Sequence, residues 1–260
     1  MAENSGISWT DNTFNPWIGC TKVSPACDNC YAEAFDNRFG GERWGPRADR
    51  TRTSVQNWNK VRKWQRKARE NGVRQIVFCA SLADVFDNHR SIQQEWRDDL
   101  WQLVRETPDL IWMLLTKRPQ NIERYLPDNW GDGYPNVTIG CSVENQTEHD
   151  RRLPHMQRLR AVAKFFSMEP LLGSVELPDD IAAHIDYIIV GGESGLGARL
   201  MNPEWAKNIK DRCLAEGIPF HFKQWGEFGE DGRRSGVKNT GHIIGGAEYK
   251  ARIDEVLYEQ

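Results

Sequence analysis

The stretch NPWIGCTKVSPACDNCYA, residues 15–32, sets Cys20, Cys27 and Cys30 within eleven residues in the spacing C-x6-C-x2-C. Two neighbouring thiols suffice for a disulfide and four complete a structural zinc shell, so three leave a shell one ligand short. The C-x2-C pair lets two sulfurs grip one centre from a tight turn, as zinc and iron–sulfur sites both require. A zinc reading needs a distant fourth ligand, because the next cysteine is Cys79 and the first histidine is His89. Three thiolates around a four-iron cubane instead leave one iron open to an amine and a carboxylate, and S-adenosyl-L-methionine carries both. Unliganded thiols buried as small apolar groups are the third alternative.

These thiols must be positioned by a fold that the rest of the chain specifies. With 260 residues, 39% of them hydrophobic, including Trp 11 and Phe 10, the chain has enough apolar mass for one large α/β domain, and a single domain is expected. Val55, Trp58, Val61 and Trp64 recur every three residues, predicting an amphipathic helix over 54–71, and a Gly break then leads to an apolar strand over 72–81. The alternation continues with a helix over 91–108, a strand over 109–119 and a short helix over 121–127. Strands follow over 135–145, 163–173 and 185–195, with a helix over 147–162 interrupted near Pro154, a helical turn over 178–185, a helix over 202–217 and a last strand over 218–228. Near-continuous apolar strands between helices mean parallel β covered on its faces.

Almost every strand ends in polar or small chemistry: Ser81 and Asp84, Thr116 and Lys117, Ser142 and Glu144, Glu169, Glu193, Lys223. A barrel would bring such ends to one mouth, which favours a partial or complete parallel β/α (TIM-like) barrel over 1–228, followed by a C-terminal extension or flap over 229–260. The sequence GGESGLG lacks the Gly-Lys-Ser/Thr ending of a phosphate loop, so its glycines are expected to admit a ligand close to the backbone. Cys79 and Cys213 are assigned to packing.

Net charge is only −3, which gives no global attraction to nucleic acid. Cations are nevertheless dense from Arg43 to Arg69, interleaved with Trp44, Trp58 and Trp64, as a surface that tracks phosphates and stacks bases would be. Arg43, Arg47, Arg50 and Arg52 lie in a loop where no helical face accounts for them. No apolar run has the length of a membrane helix, and the N-terminus shows no signal pattern, so a cytoplasmic protein with reduced thiols is expected.

The motif NPWIGC…ACDNCYA resembles the cysteine signature of radical S-adenosylmethionine proteins related to spore photoproduct lyase. It resembles still more a phage-encoded family opening W-T-x-x-T-x-N-P, here Trp9, Thr10, Thr13, Asn15 and Pro16. CASLADVFD, LLTKRP, SMEP and GGESG extend the resemblance over about residues 7 to 225. The cysteine loop is three residues longer than the usual C-x3-C-x2-C. The resemblance implies a barrel of the radical type, a 4Fe-4S cluster on Cys20, Cys27 and Cys30, and S-adenosyl-L-methionine as cofactor. The strand-end residues Ser81, Asp84, Lys117 and Glu193 are the candidates to hold it, with ordinary strand-end polarity or structural ion pairing as the alternative, and the family's Gly-Gly-Glu role is not carried over to Glu193. The resemblance also implies an electron donor such as flavodoxin or ferredoxin as partner. In that chemistry Cys141, at a strand end, is a candidate to return a hydrogen atom, with packing as a buried small apolar group the alternative. The activity implied is isomerisation of an amino-acid-modified thymidine, N-linked to C-linked, in phage DNA hypermodification, within the host cytoplasm. The alternatives are a radical lyase or repair enzyme, a peptide-modifying radical enzyme, and a zinc-stabilised nucleic-acid-binding module.

Overall fold

The structure, a computed structural model, describes residues 3–258. It is an α/β fold around a seven-stranded parallel sheet, and by internal contact the chain divides into two compact units.

The first unit comprises the chain up to Val23, Ala32–Gly140 and Leu159–Val162. In chain order its elements are β1 (Asn12–Phe14), β2 (Trp17–Ile18), α1 (Tyr31–Arg38, whose first residue falls in the other unit) and β3 (Thr51–Arg52). Then come α2 (Val55–Asn71), β4 (Gln75–Cys79), α3 (Gln94–Glu106), β5 (Leu110–Thr116), α4 (Ile122–Tyr125) and most of β6 (Val137–Ser142). β1 pairs in parallel with β4 (Asn12 opposite Val77), and β4 with β5 (Gln75 opposite Leu110). Ile76, Val77 and Leu110 to Leu114 are fully buried, as expected for strands covered on both faces. Phe14 packs edge-on against Trp58 and Trp112, with ring centroids 5.3 and 5.8 Å away. The apolar stripe of α2 is Trp58, Val61, Trp64 and Ala68, whereas Val55, expected on it, is exposed in the first turn. Gly72 ends α2 in the left-handed conformation, its N–H donating to the carbonyls of Ala68 and Arg69.

The second unit comprises Ser24–Tyr31, Cys141–Arg158 and the chain from Ala163 onward. It holds α5 (Gln146–Arg158), β7 (Ala163–Met168), β8 (Tyr187–Gly191), α6 (Pro203–Glu216), β9 (Phe220–Gln224), α7 (Val237–Thr240), β10 (Ile243–Ile244), β11 (Ala247–Glu248) and α8 (Ile253–Tyr258). β7, β8 and β9 pair in parallel, with Phe165 opposite Tyr187 and Ile188 opposite Phe220. The interruption expected near Pro154 does not occur: α5 runs through it. Proline removes one backbone bond there, but two residues earlier Arg152 is fully buried and donates to the Ser142 carbonyl and to Glu144, each at 2.7 Å, so tertiary bonding holds the turn. The segment after Phe228 is built onto β9: the Phe222 and Trp225 N–H groups donate to Tyr249 and Gly241, and Ile244 and Ile253 are fully buried.

The sheet order is β1-β4-β5-β6-β7-β8-β9, so each strand of it lies beside its successor in the chain. A doubly wound sheet reverses direction partway along its order. The unreversed order is compatible with a partial parallel β/α barrel. Among the described residues no helix is long and apolar enough to cross a membrane.

Candidate functional site

In the first unit the site begins with Asn15. Its buried amide donates to Ser81 Oγ (3.0 Å) and its carbonyl oxygen accepts from the Leu82 N–H (2.6 Å), tying the chain after β1 to the chain after β4. Gly19 follows at φ 115°, where a Cβ would stand 2.5 Å from the Arg43 carbonyl oxygen, so only glycine fits just before Cys20. The Cys20 sulfur accepts from Arg118 Nη1 at 3.5 Å, and Arg118 Nη2 donates to the Thr21 carbonyl at 2.7 Å. Arg118 is aimed by Asp84, whose Oδ2 accepts from Arg118 Nη1 (2.9 Å) and the Lys117 N–H (3.1 Å), while Oδ1 accepts from Thr116 Oγ1 (2.7 Å) and the Phe86 N–H (2.9 Å). Those four donors fill the acceptor sites of a carboxylate. Asp84 therefore acts here by orienting Arg118, with no oxygen left over for a ribose.

Asp87 and Arg50 complete this network. Arg50 Nε donates to Asp87 Oδ2 (2.9 Å) and its Nη1 to the Gly45 carbonyl (3.0 Å), with the side chain wholly buried. Two buried cations thus face two buried carboxylates, the balance that makes a desolvated charge cluster tolerable. Burial pushes the Cys20 thiol up to about 11 against the opposing pull of Arg118.

The structure also reassigns most of the loop cations singled out in the sequence. Arg50 is internal, Arg43 pairs with buried Asp36, and Arg52 pairs with Asp99 while lying 4.6 Å over the Trp58 ring. Trp58 and Trp64 are core residues. Of the four arginines in the loop, three are thus accounted for by pairing within the protein.

In the second unit the turn that carries Cys27 and Cys30 is held from the ends of the strands. Buried Glu144, following β6, accepts from the Ala26 N–H at 3.3 Å and from Arg152 at 2.7 Å. Glu193, following β8, accepts from Asn29 Nδ2 (3.2 Å), from the Arg199 N–H and Nε (2.8 Å each) and from Arg199 Nη2 (2.6 Å). Arg199 reaches on to the Pro25 carbonyl (3.0 Å) and to Asp28 (3.3 Å), and Asn29 Nδ2 also donates to the Gly197 carbonyl (2.8 Å). Residues 25–29 are in this way fastened at Pro25, Ala26, Asp28 and Asn29, with Cys27 in the middle and Cys30 immediately after. Ser167 and Lys223 both contact Glu169, at 3.2 and 2.7 Å, forming a further strand-end pair.

Two of the four glycines of GGESGLG, Gly192 and Gly197, admit close approach by the chain itself. A Cβ on Gly192 would stand 1.8 Å from the Trp225 carbonyl oxygen, and one on Gly197 would stand 2.6 Å from Asn29 Oδ1.

Burial pushes the Glu193 carboxyl up, but the hydrogen bonds from Arg199 and Asn29 outweigh it and leave the group below the usual carboxylate range. A depressed carboxyl stabilises the folded state above its unfolded pKa and loses that contribution as pH falls through the folded value. The stability gap between wild type and E193Q, measured by urea titration at stepped pH, is expected to be full at neutral pH. It should close once the pH drops below the ordinary carboxylate range, and a gap that stays constant down to the lowest pH would contradict the assignment.

The six thiols fall into two groups. Cys20, Cys27 and Cys30 are half-buried, whereas Cys79, Cys141 and Cys213 are fully buried, and none of the six is in a disulfide. Cys79 and Cys213 are packed in the core as expected, their thiols pushed up by burial. Cys141 Sγ lies 3.4 Å from the Ser142 carbonyl. Three half-buried thiols are the type of donor set that an iron–sulfur cluster takes, and in this respect the residues fit the group. Among the described residues no three His, Cys, Asp or Glu side chains stand as a group able to hold a metal ion.

Sequence reasoning found Asp84, Lys117, Glu193 and the cysteines but missed their partners Arg118, Asp87, Arg50, Asn29, Arg152 and Arg199. Arg118 and Asp87 were within reach, being in LLTKRP and CASLADVFD. The family described as "Protein of unknown function (DUF5131)" matches residues 4–252. No curated protein and no solved structure matches the chain.

Proposed function

Since the chain belongs to this family of unknown function, we propose for it the activity of a radical S-adenosylmethionine enzyme, with a 4Fe-4S cluster held by Cys20, Cys27 and Cys30. The observation that carries the reading is the division of the thiols: the three in the motif are half-buried, and the three outside it are sealed in the core. Such a cluster with S-adenosyl-L-methionine supplies, when bound, a one-electron route to hydrogen abstraction from carbon. The chain's own part is to position. Glu144 and the Glu193–Arg199 pair fix the backbone on both sides of Cys27, and Arg118 directs an N–H at the Cys20 sulfur. Ser81 and Lys117 remain the proposed contacts to the nucleoside or amino acid end of S-adenosylmethionine. Asp84 and Glu193 support this reading as orienting groups.

The substrate proposed is an amino-acid-modified thymidine in DNA whose adduct passes from nitrogen to carbon linkage. Hydrogen removal from a glycine-type α-carbon gives a stabilised carbon centre, and recapture of that same hydrogen would keep the conversion redox neutral. Cys141, the proposed donor, would keep it so only by regaining from the abstracting group the hydrogen atom that it gives. A flavodoxin- or ferredoxin-type protein is the proposed source of electrons, and the barrel of the radical type is the proposed form of the fold.

Anaerobic reconstitution with iron and sulfide tests the cluster: a brown protein with roughly four irons per chain is expected, with C20A, C27A and C30A each losing most of the iron. Colourless protein carrying one zinc would replace the reading with a zinc-stabilised module. Mass spectrometry of nucleosides from DNA made with wild type and with C141A tests substrate and hydrogen donor together.

A further inference from the structure

Once its arginines with internal partners and its buried tryptophans are set aside, the cation-rich segment retains one ridge. Helix α2 carries Lys60, Arg62, Lys63, Arg66, Lys67 and Arg69, with Glu70 as its sole acid. Trp58, Val61, Trp64 and Ala68 turn into the core, which leaves these cations on the solvent side. Arg62 pairs with Glu106, Lys67 with Glu3 and Arg69 with Asp109. Lys60, Lys63 and Arg66 are exposed and pair with no acidic side chain among the described residues. They follow each other at intervals of three along one helix, so they span about 9 Å of its axis. That is the rise of two to three consecutive phosphates of one DNA strand, at ~3.4 Å each.

We propose that this ridge is a docking surface for the phosphate backbone of duplex DNA. It rests on the reading above in taking DNA as the substrate and adds that the polymer, not a free nucleotide, is engaged. The chemistry of the ridge selects this occupant. A protein partner's footprint is rich in aromatic side chains and poor in lysine, whereas Gln56, Asn59 and the cations make up the outer surface of α2, with Val55 the one exposed apolar residue at its start. Single strands are gripped by stacking on exposed aromatics, and both tryptophans of α2 are buried. What remains is a row of charge long enough to reach several phosphates, which holds a backbone irrespective of sequence. The net charge of −3 makes this a local attraction, distinct from any general one.

The test is fluorescence anisotropy of labelled duplexes with the full chain at several salt concentrations. Wild type is expected to bind with a negative slope of log K against log salt. K60Q/K63Q/R66Q should flatten that slope by about 2.7, or ~0.9 per lost phosphate contact, and weaken binding by a similar factor on every sequence. All three positions are exposed, so folding should be unaffected, and circular dichroism checks it. R90Q/R158Q/K238Q removes the same charge elsewhere and should leave the slope nearly unchanged. Absence of duplex binding by wild type, an unchanged slope in the α2 variant, or an equal loss in the control would each overturn the proposal. None of these measurements depends on iron, so failed reconstitution beside salt-dependent duplex binding through α2 would overturn the radical reading alone, and a reconstituted cluster without duplex binding would overturn this proposal alone.

Discussion

Replacing Arg118 with methionine should lower the free energy of unfolding by about 3 to 5 kcal/mol, the cost of leaving buried carboxylates without their cation. Arg118 and Asp84 are both nearly inaccessible, and Asp87 stands 3.8 Å from Arg118 Nε. Methionine matches much of the volume but none of the five donors. Lysine would return the charge without the fork, so R118K should fall between the two. The contrast is R160M, whose Asp132 pair is mostly solvent-exposed and should cost no more than about 1 kcal/mol. Denaturant titration of the three variants separates the cases, and an R118M loss as small as that of R160M would show that the network does not behave as a desolvated one.

Gly192→Ala is the second change expected to be severe, at about 3 kcal/mol or more. The added carbon would meet the Trp225 carbonyl oxygen at 1.8 Å and its carbon at 2.6 Å, and both belong to backbone, which has no rotamer to yield. Gly226 stands opposite with its own restriction, at φ 89° and with a Cβ position 2.3 Å from the Glu193 carbonyl oxygen. The loop bearing Glu193 and the chain after β9 therefore touch main chain to main chain. Gly191→Ala, one residue earlier, meets nothing closer than 3.5 Å and should be tolerated. Equal urea midpoints for the two variants would refute the argument.

Much of the fold could be read because local and global preferences coincide. IVFC and LIWMLL are apolar enough to be buried on both faces, and Gly72 and Gly217 stop their helices in the left-handed conformation expected of them. Pro154 was misleading because the helix-breaking tendency of one residue was outweighed by the bonds of Arg152. The candidate site was legible in its residue types but not in its pairings. Asp84 reads as a strand-end acid, and nothing in the sequence says that an arginine 34 positions later occupies it. Arg50 reads as a loop cation because its acid lies 37 positions away. Gly192 suggests a ligand because sequence cannot distinguish a close approach by a substrate from one by the chain's own carbonyl.

The bonds that fasten residues 25–29 span the chain, with Asn29 joined to Glu193 across 164 positions and Asp28 to Arg199 across 171. A ribosome adds ~5 to 20 residues per second, so this turn emerges roughly ten to thirty seconds before its clasps exist. The bond from Ala26 to Glu144, across 118 positions, can form earlier than these two. The ordering of this turn is consequently completed only late in synthesis, and any polypeptide released before Arg199 would carry the full cysteine signature without the bonds that hold its loop.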